Sequence, residues 1–394
     1  MIKKKIFSIL LGLFVVGLVA AGAFASEPSP QNAGTEEPIK NTVPVYYLGR
    51  DLYGVFENIH PFQNGIPKEA HILIVDGPYV AEHPETKESL KDELLRGIPI
   101  IVVNGHTEVI KSLLPHQFKP EIIGGKTPDG RPIKGETVCG YIVYPLSEGV
   151  LVTKVFISPD PGRRAVEEAY RWAVRNMPSN AGTLDVSIES TGDWTQIYQL
   201  DFSTVDLWEP YGRLNVRPLY YKLSNDGSYT YDWYSVHVRQ QSVPGEYLWD
   251  SGWKTADMYT WIDADYYNSD YFLSDYAPTT TVGSTTVGVS IGVSAGEDGA
   301  SISASLSWSY TLPDVVVYDQ SDYYLELAKW WHNVDEGAPV GSSTYQIEPG
   351  ATIRVPQGSP MDWVEHYGAK YGKKTLFWWD YTTEGYVEFH IYSG

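Results

Sequence analysis

The sequence predicts an α+β chain of two domains. An N-terminal α/β domain is built on a mainly parallel sheet, and an all-β sandwich carrying a long amphipathic hairpin follows it. Three observations predict this. Up to residue 178, continuous apolar runs of strand length alternate with helix-prone stretches, the pattern of a parallel sheet covered on both faces. At about Pro178 the composition changes: of thirteen Trp, only Trp172 precedes residue 190, and the remainder is rich in Tyr, Trp, Thr, Ser and Asp with little helical periodicity. Within that second part, residues 279–312 alternate apolar and small residues at strict period two on both sides of a short Gly/Asp break.

The chain opens with Lys3, Lys4 and Lys5, an apolar run from Ile6 to Val19, and Ala23-Phe24-Ala25. This is the layout of a secretory signal peptide over residues 1–25. A retained anchor is the alternative, but the run is shorter than the about 20 residues of a comfortable helical span. Residues 26–42 are rich in Pro, Glu and Asn without periodicity and read as a linker. Losing the three lysines of the leader takes the formal charge from −20 to −23. Such acidity excludes a nucleic-acid partner, which needs a basic footprint, and suits a secreted, extracellular protein. Cys139 is the only cysteine, so no intramolecular disulfide forms. Its place in an apolar strand pattern reads as a buried small hydrophobe.

The α/β domain spans residues 43–178. His71 to Asp76 reads as a buried strand ending at Gly77-Pro78, Glu85 to Arg96 as a helix, and Ile98 to Val103 as a second strand. His106 to Leu114 reads as a short helix. Val138 to Leu146 and Val150 to Ile157 read as strands split by a Ser147-Glu148-Gly149 turn. Arg163 to Met177 is an amphipathic helix with Ala165, Ala169, Trp172 and Ala173 on one side. The general pattern is Rossmannoid or flavodoxin-like. Asp76, Asn104 and His106 fall at strand ends, where open α/β sheets bind ligands; they carry the idea of an envelope hydrolase, although Asp-Gly and Asn-Gly are also ordinary turn formers. There is no phosphate loop, GxGxxG or G-x-S-x-G motif.

The sandwich spans residues 190–394. Leu219 to Ser224 and Tyr229 to Gln241 flank Asn225-Asp226-Gly227-Ser228 and read as a hairpin. Ser343 to Pro356 and Thr375 to Tyr392 supply further strands. From Thr255 to Ala328 there are eleven Asp and Glu and no Lys or Arg. Asp263, Asp265 and Asp270 present oxygen ligands at short spacing, a weak Ca2+ candidate without the EF-hand pattern; a solvated acidic loop is the plainer reading, and no cofactor or other metal is expected. Trp330, Trp331, Trp378 and Trp379 are candidate interface or ligand aromatics, since Trp favours membrane interfaces and sugar-stacking platforms; core packing is their usual use. No catalytic residue can be singled out.

In the hairpin, Val287, Val289, Ile291, Val293 and Ala295 alternate with Gly and Ser. Beyond Gly296-Glu297-Asp298-Gly299, Ala300, Ile302, Ala304, Leu306, Trp308 and Tyr310 alternate with Ser. With Ala295 opposite Ala300, Val293 faces Ile302, Ile291 faces Ala304, Val289 faces Leu306 and Val287 faces Trp308. One flank is then wholly apolar and the other wholly Gly and Ser. An ordinary sandwich hairpin also buries one flank and wets the other. Wet flanks, however, usually carry charges, and this one has none outside the tip.

These residues, with Tyr276-Ala277-Pro278-Thr279-Thr280-Thr281 leading in and Pro313-Asp314-Val315 leading out, resemble the stem region of leukocidin/hemolysin-type β-pore-forming toxins. The resemblance covers at most residues 190–394. It implies a β-sandwich whose Gly/Ser/Thr-rich segment folds against it in the soluble monomer, then swings out on a membrane and closes into a barrel with other copies. The α/β domain is not part of that family. The expectation is therefore a secreted, non-enzymatic protein acting at membranes, with membrane lipid or a cell-surface receptor or glycan as partner and a homo-oligomer as its active form. The alternative is a cell-surface adhesion or carbohydrate-binding protein.

Overall fold

The structure is a computed structural model. It describes residues 38–41, 43–49, 56–62, 66, 70–103, 109, 112–113, 118–133, 138–145, 151–157, 163–175, 189–191, 193–282, 286–296, 300, 303–311, 315–335, 337 and 339–394. The leader, most of the linker, Asn104 and His106 lie outside these residues.

Four short strands open the fold: β1 (Val45–Leu48), β2 (Ile59–Pro61), β3 (Ile72–Asp76) and β4 (Ile100–Val103). They pair parallel in the order β2-β1-β3-β4. Helices α1 (Gly77–Glu82) and α2 (Thr86–Leu95) connect β3 to β4. The strands are apolar throughout because both sides are covered. Leu73, Val75, Ile100 and Val102 join Leu90 and Leu94 of α2 in one cluster. Their alternates Ile72, Ile74, Ile101 and Val103 pack with Val166, Ala169, Tyr170 and Ala173 of α3 (Arg163–Arg175). Gly77-Pro78 does not end in a turn: α1 starts there, with the proline in its first turn, where its missing N–H costs nothing.

The expectation of a mainly parallel sheet needs correction beyond β4. Strand β5 (Lys119–Lys126) leaves this sheet altogether. Strands β6 (Val138–Pro145) and β7 (Leu151–Ile157) run antiparallel, β6 against β4 and β7 against β6. The reason was within reach: a parallel pair needs a crossover of a dozen or more residues, and only residues 146–150 join β6 to β7. Continuous apolar runs report burial on both faces, not strand direction.

The remaining chain is almost entirely strands: β8 (Glu189–Thr191), β9 (Asp193–Ser203), β10 (Gly212–Ser224), β11 (Tyr231–Pro244), β12 (Trp253–Asp263), β13 (Phe272–Ala277), β14 (Thr281–Val282), β15 (Thr286–Val293) and β16 (Ala304–Thr311). After these come β17 (Val315–Asp319), β18 (Leu327–Val334), β19 (Tyr345–Ile347), β20 (Gly350–Pro356), β21 (Asp362–Lys374), β22 (Trp379–Tyr381) and β23 (Gly385–Tyr392). A short helix, α4 (Gly245–Trp249), follows β11.

Strand β7 pairs parallel with β9. One large sheet therefore runs β13-β20-β11-β10-β9-β7-β6-β4-β3-β1-β2, with β19 also on β11. A second, antiparallel sheet runs β14-β17-β18-β12-β21-β23-β5, with β22 on β21. The regions before residue 178 and after residue 190 thus share both sheets. Between the sheets lie Phe202, Tyr220, Trp363, Tyr367, Tyr371 and Phe389, all fully buried. Glu365 sits among them and accepts hydrogen bonds from Tyr220 Oη at 2.8 Å, Tyr367 Oη at 2.5 Å and Trp363 Nε1 at 2.8 Å. Burial pushes its carboxyl up to about 6, against the pull of these three donors. The third unit has only β15, β16 and β8.

Candidate functional site

Strands β15 and β16 form an antiparallel ribbon. Its pairs run from Thr286 opposite Thr311, through Val287–Tyr310, Val289–Trp308 and Ile291–Leu306, to Val293–Ala304. This register differs by two residues from the one read off the sequence. The connection is longer than a four-residue turn. Gly296, at φ +87°, donates its N–H to the Ala300 carbonyl at 2.8 Å, and Ala295 N–H donates to Ser303 Oγ at 3.0 Å. A shift of two keeps every side chain on its own flank, because the strand period is two.

The flanks differ sharply. Val287, Val289, Ile291, Val293, Ala300, Ala304, Leu306, Trp308 and Tyr310 are all buried. Ala295 is exposed at the tip, and Ile302 lies outside the described residues. On the opposite flank Thr286, Gly288, Ser290, Ser309 and Thr311 are exposed, and Ser307 Oγ donates to Ser290 Oγ across the strands at 3.0 Å. Each buried aliphatic side chain contributes about 1.5–3 kcal/mol to the docked state.

What the apolar flank covers is less apolar than the flank itself. The ribbon lies over β13, β20 and β9 of the large sheet. The Trp308 indole packs against the His237 ring at a tilt of 31° with centroids 4.0 Å apart, and its Nε1 donates to the Glu348 carbonyl at 2.9 Å. Gly350 makes room for it: a Cβ there would lie 2.6 Å from the indole. Tyr310 Oη lies 3.3 Å from His332 Nε2. Beneath Trp308, His237 Nε2 meets Glu348 Oε2 at 2.9 Å, Gln346 donates to Glu348 Oε1 at 2.5 Å, and Arg239 Nε lies 3.7 Å from Glu348. Further along, Arg217 holds Asp201 with two hydrogen bonds, at 2.5 and 3.0 Å. All these ionisable groups are buried.

The electrostatics follow from that burial. Desolvation holds the His237 imidazole below its ordinary value, against the raising effect of Glu348. His332 is pushed down to about 3 by burial alone. Burial would raise the Glu348 carboxyl, but His237 and Arg239 outweigh it and hold it below the ordinary range. Both imidazoles are therefore neutral at pH 7 and Glu348 is ionised.

The ribbon's main-chain attachment is slight. Among the described residues no ladder joins it to either large sheet. Strand β8 pairs with one edge through three positions, Ser305–Thr191, Leu306–Ser190 and Ser307–Glu189. Near the other edge, Gly292 N–H donates to Asp275 Oδ2 at 2.8 Å. The arms enter and leave through β14 and β17, which pair with each other at the rim of the second sheet. Residues 283–285 and 312–314 link that pair to the ribbon.

The other residues singled out in the sequence scatter. Trp330 is a core residue, not a surface aromatic: it is fully buried, with Nε1 donating to the Pro278 carbonyl at 2.9 Å. Trp331 is half-buried, stacked on Tyr318 and bonded to Asp257 Oδ1. Trp379 is half-buried, whereas Trp378 is 62% exposed beside Leu376 (92%) and Phe377 (84%) in the loop after Lys373 and Lys374. The run Phe377-Trp378-Trp379 stands out in the sequence and Leu376 does not, although three consecutive large apolar residues beside two lysines are a legible mark of an apolar tip. Asp263 hydrogen-bonds Asp265, and burial with that neighbour pushes it up to about 6; Asp270 is exposed. Among the described residues no group of three His, Cys, Asp or Glu side chains is placed to hold a metal. Asp76 is buried at the end of β3. Cys139 lies in β6.

Compared with known proteins, the chain matches no family model and no curated protein sequence. Among solved structures it matches leukocidin-type β-pore-forming toxins over about half its length. A pore-forming protein is 11% identical with a TM-score of 0.32, covering 51% of this chain and 94% of that one. Clostridium perfringens delta-toxin is 12% identical with a TM-score of 0.31, covering 53% and 100%. The Clostridium perfringens NetB toxin in its membrane-inserted form is 9% identical with a TM-score of 0.26, covering 51% and 95%.

Proposed function

We propose that the chain is a secreted, non-enzymatic protein of the leukocidin/hemolysin type whose ribbon leaves the sandwich on a membrane and joins the ribbons of other copies in a transmembrane β-barrel. The observation that carries this reading is the ribbon itself. It has one apolar flank, one uncharged flank and, among the described residues, a single three-residue ladder beyond itself. Eight residues of each arm are paired at rest, and the alternation continues to Ala295 and from Ala300. That gives each arm the about 9–11 residues that a tilted strand needs to cross a bilayer.

A lone ribbon cannot enter lipid, because its edges leave backbone groups unpaired. Insertion therefore requires several copies, with the apolar flank toward lipid and Gly and Ser toward the lumen. The seat left behind carries His237, His332 and the Glu348 carbonyl, groups that water solvates well. Release thus exposes polar groups along with apolar ones. The Leu376-Phe377-Trp378 tip supplies a first contact with the membrane, where Trp and flanking Lys favour the headgroup region.

The test is a tether. In a Cys139→Ser background, Ser305→Cys with Thr191→Cys, which stand directly opposite each other, joins the ribbon to β8. Liposome dye release and lipid-dependent oligomers are expected from the reduced protein and not from the oxidised one. A chain that stays monomeric and releases no dye from zwitterionic, anionic or glycolipid-containing vesicles overturns the reading, and retention on a glycan array without dye release favours an adhesion protein instead.

A further inference from the structure

We propose that acid releases the ribbon: the neutral imidazoles of His237 and His332 hold Trp308 and Tyr310 in the seat, and protonating them opens it. This rests on the reading that the ribbon detaches, and it adds the condition under which it does so.

The geometry makes a proton unwelcome at both sites. His237 has no exposed surface. One ring face carries the Trp308 indole, Nε2 is engaged by Glu348, and Nδ1 has no hydrogen-bond partner among the described residues. The charged groups around it come from every packed element: Arg239 on its own strand, Glu348 between β19 and β20, and beyond Arg239 the Arg217–Asp201 pair on β10 and β9 with Tyr221. Within this cluster two carboxylates face two guanidinium groups. A proton on His237 adds a third buried cation that must share Glu348 with Arg239, which repels it, and burial, the largest cause, works against the charge. From the ribbon Trp308 and Tyr310 meet His237, Glu348 and His332, and neither is charged at pH 7. Asp275 meets the ribbon farther along, at Gly292.

His332 is simpler. It too has no exposed surface, and burial alone lowers it, to about 3. Tyr310 Oη faces its Nε2, and Nδ1 has no hydrogen-bond partner among the described residues. In the neutral ring one nitrogen donates and the other accepts, so the contact with the phenol runs in either direction. Once protonated the ring carries two N–H donors in a buried place, and Nδ1 finds no acceptor among the described residues.

The direction follows from linkage. Both groups are lowered when the ribbon is docked and return to about 6.5 when water reaches them. Docking therefore keeps its full strength above about pH 6.5 and loses it as the pH falls. Each freed imidazole shifts the balance toward release by about tenfold per pH unit, continuing for His332 to about pH 3.

Amide hydrogen exchange on the full chain at pH 7.5 and 4.5, corrected for intrinsic rates, tests this without a membrane. Residues 286–293 and 304–311 are expected to lose about a hundredfold protection or more relative to 212–222 and 234–244. The double variant His237→Gln/His332→Gln is expected to keep ribbon protection within about threefold across that range. Flat wild-type protection, or loss in step with 212–222 and 234–244, overturns the proposal, and that comparison needs no variant to fold. So does a double variant that loosens as the wild type does. Dye release measured alongside separates the two readings. Release at all pH values with flat exchange defeats the latch and leaves the pore; acid-loosened exchange with no dye release at any pH defeats the pore and leaves the latch.

Discussion

The ribbon β15–β16 and the pair β10–β11 are both long antiparallel pairs, yet they are held in opposite ways. Strands β10 and β11 pair over eleven positions, from Gly212–Pro244 to Lys222–Tyr234, and each has a ladder partner on its other side. Both faces are buried: Val236 and Val238 toward one layer, His237 and Arg239 toward the other. Among the described residues the ribbon pairs over eight positions, buries one flank and has one three-residue ladder beyond itself. Backbone ladders fix β10–β11, whereas side chains seated over a polar surface fix the ribbon. Secondary structure is the same in both; detachability is decided by where the ladder stops.

Removing the anchor is the largest way to break this contrast. Trp308→Ala deletes the ring that fills the space over Gly350 and His237. A buried Trp lost to Ala costs about 3–5 kcal/mol. That cost is expected to fall on docking alone, so exchange protection of the ribbon drops more than a hundredfold while β10–β11 is unchanged. Equal loosening of both pairs shows that the ribbon is part of the body.

The second contrast is in pH, where the two regions are expected to respond with opposite signs. Glu365 lies in the body, raised to about 6 from an ordinary carboxylate value of about 4.3. Its protonated form is the one folding favours, so its contribution is present below about pH 4.3 and is lost as pH rises to about 6, a swing of about 2 kcal/mol. The ribbon's imidazoles, lowered rather than raised, act the other way. Unfolding by denaturant at a series of pH values is expected to show wild type and Glu365→Gln diverging by that amount between pH 4 and 7. Parallel curves show that Glu365 titrates normally.

The ribbon was legible because alternation is a local signal that survives a register error of two. The seat was not. His237 and Glu348 stand 111 residues apart and meet only because β19 and β20 both pair with β11. No spacing announces such a pair. The double-back of β5 was hidden too: Gly124-Gly125 carries no strand signal of its own, yet it belongs to a strand beside β23. Trp330 and Trp331, by contrast, were separable in principle. Period two through Ala328, Trp330, His332 and Val334 sends Trp330 inward and leaves Trp331 on the outer face.

The smallest effect at rest gives the finest test of the two flanks. Ser290 is exposed, and its side chain meets only Ser307 across the ribbon. Ser290→Asp is therefore expected to change thermal stability by no more than about 0.5 kcal/mol. One position earlier, Val289 is 2% exposed against the seat. Val289→Asp buries an unpaired carboxylate at rest and would place it in lipid after insertion, so both docking and dye release are lost. In a barrel, Ser290→Asp instead adds one carboxylate per copy to the lumen. The expected result is normal dye release with a reversal potential shifted toward cation selectivity in a planar bilayer. If Ser290→Asp blocks dye release as completely as Val289→Asp, the flanks are not lumen and lipid faces, and the contrast with β10–β11 concerns packing alone.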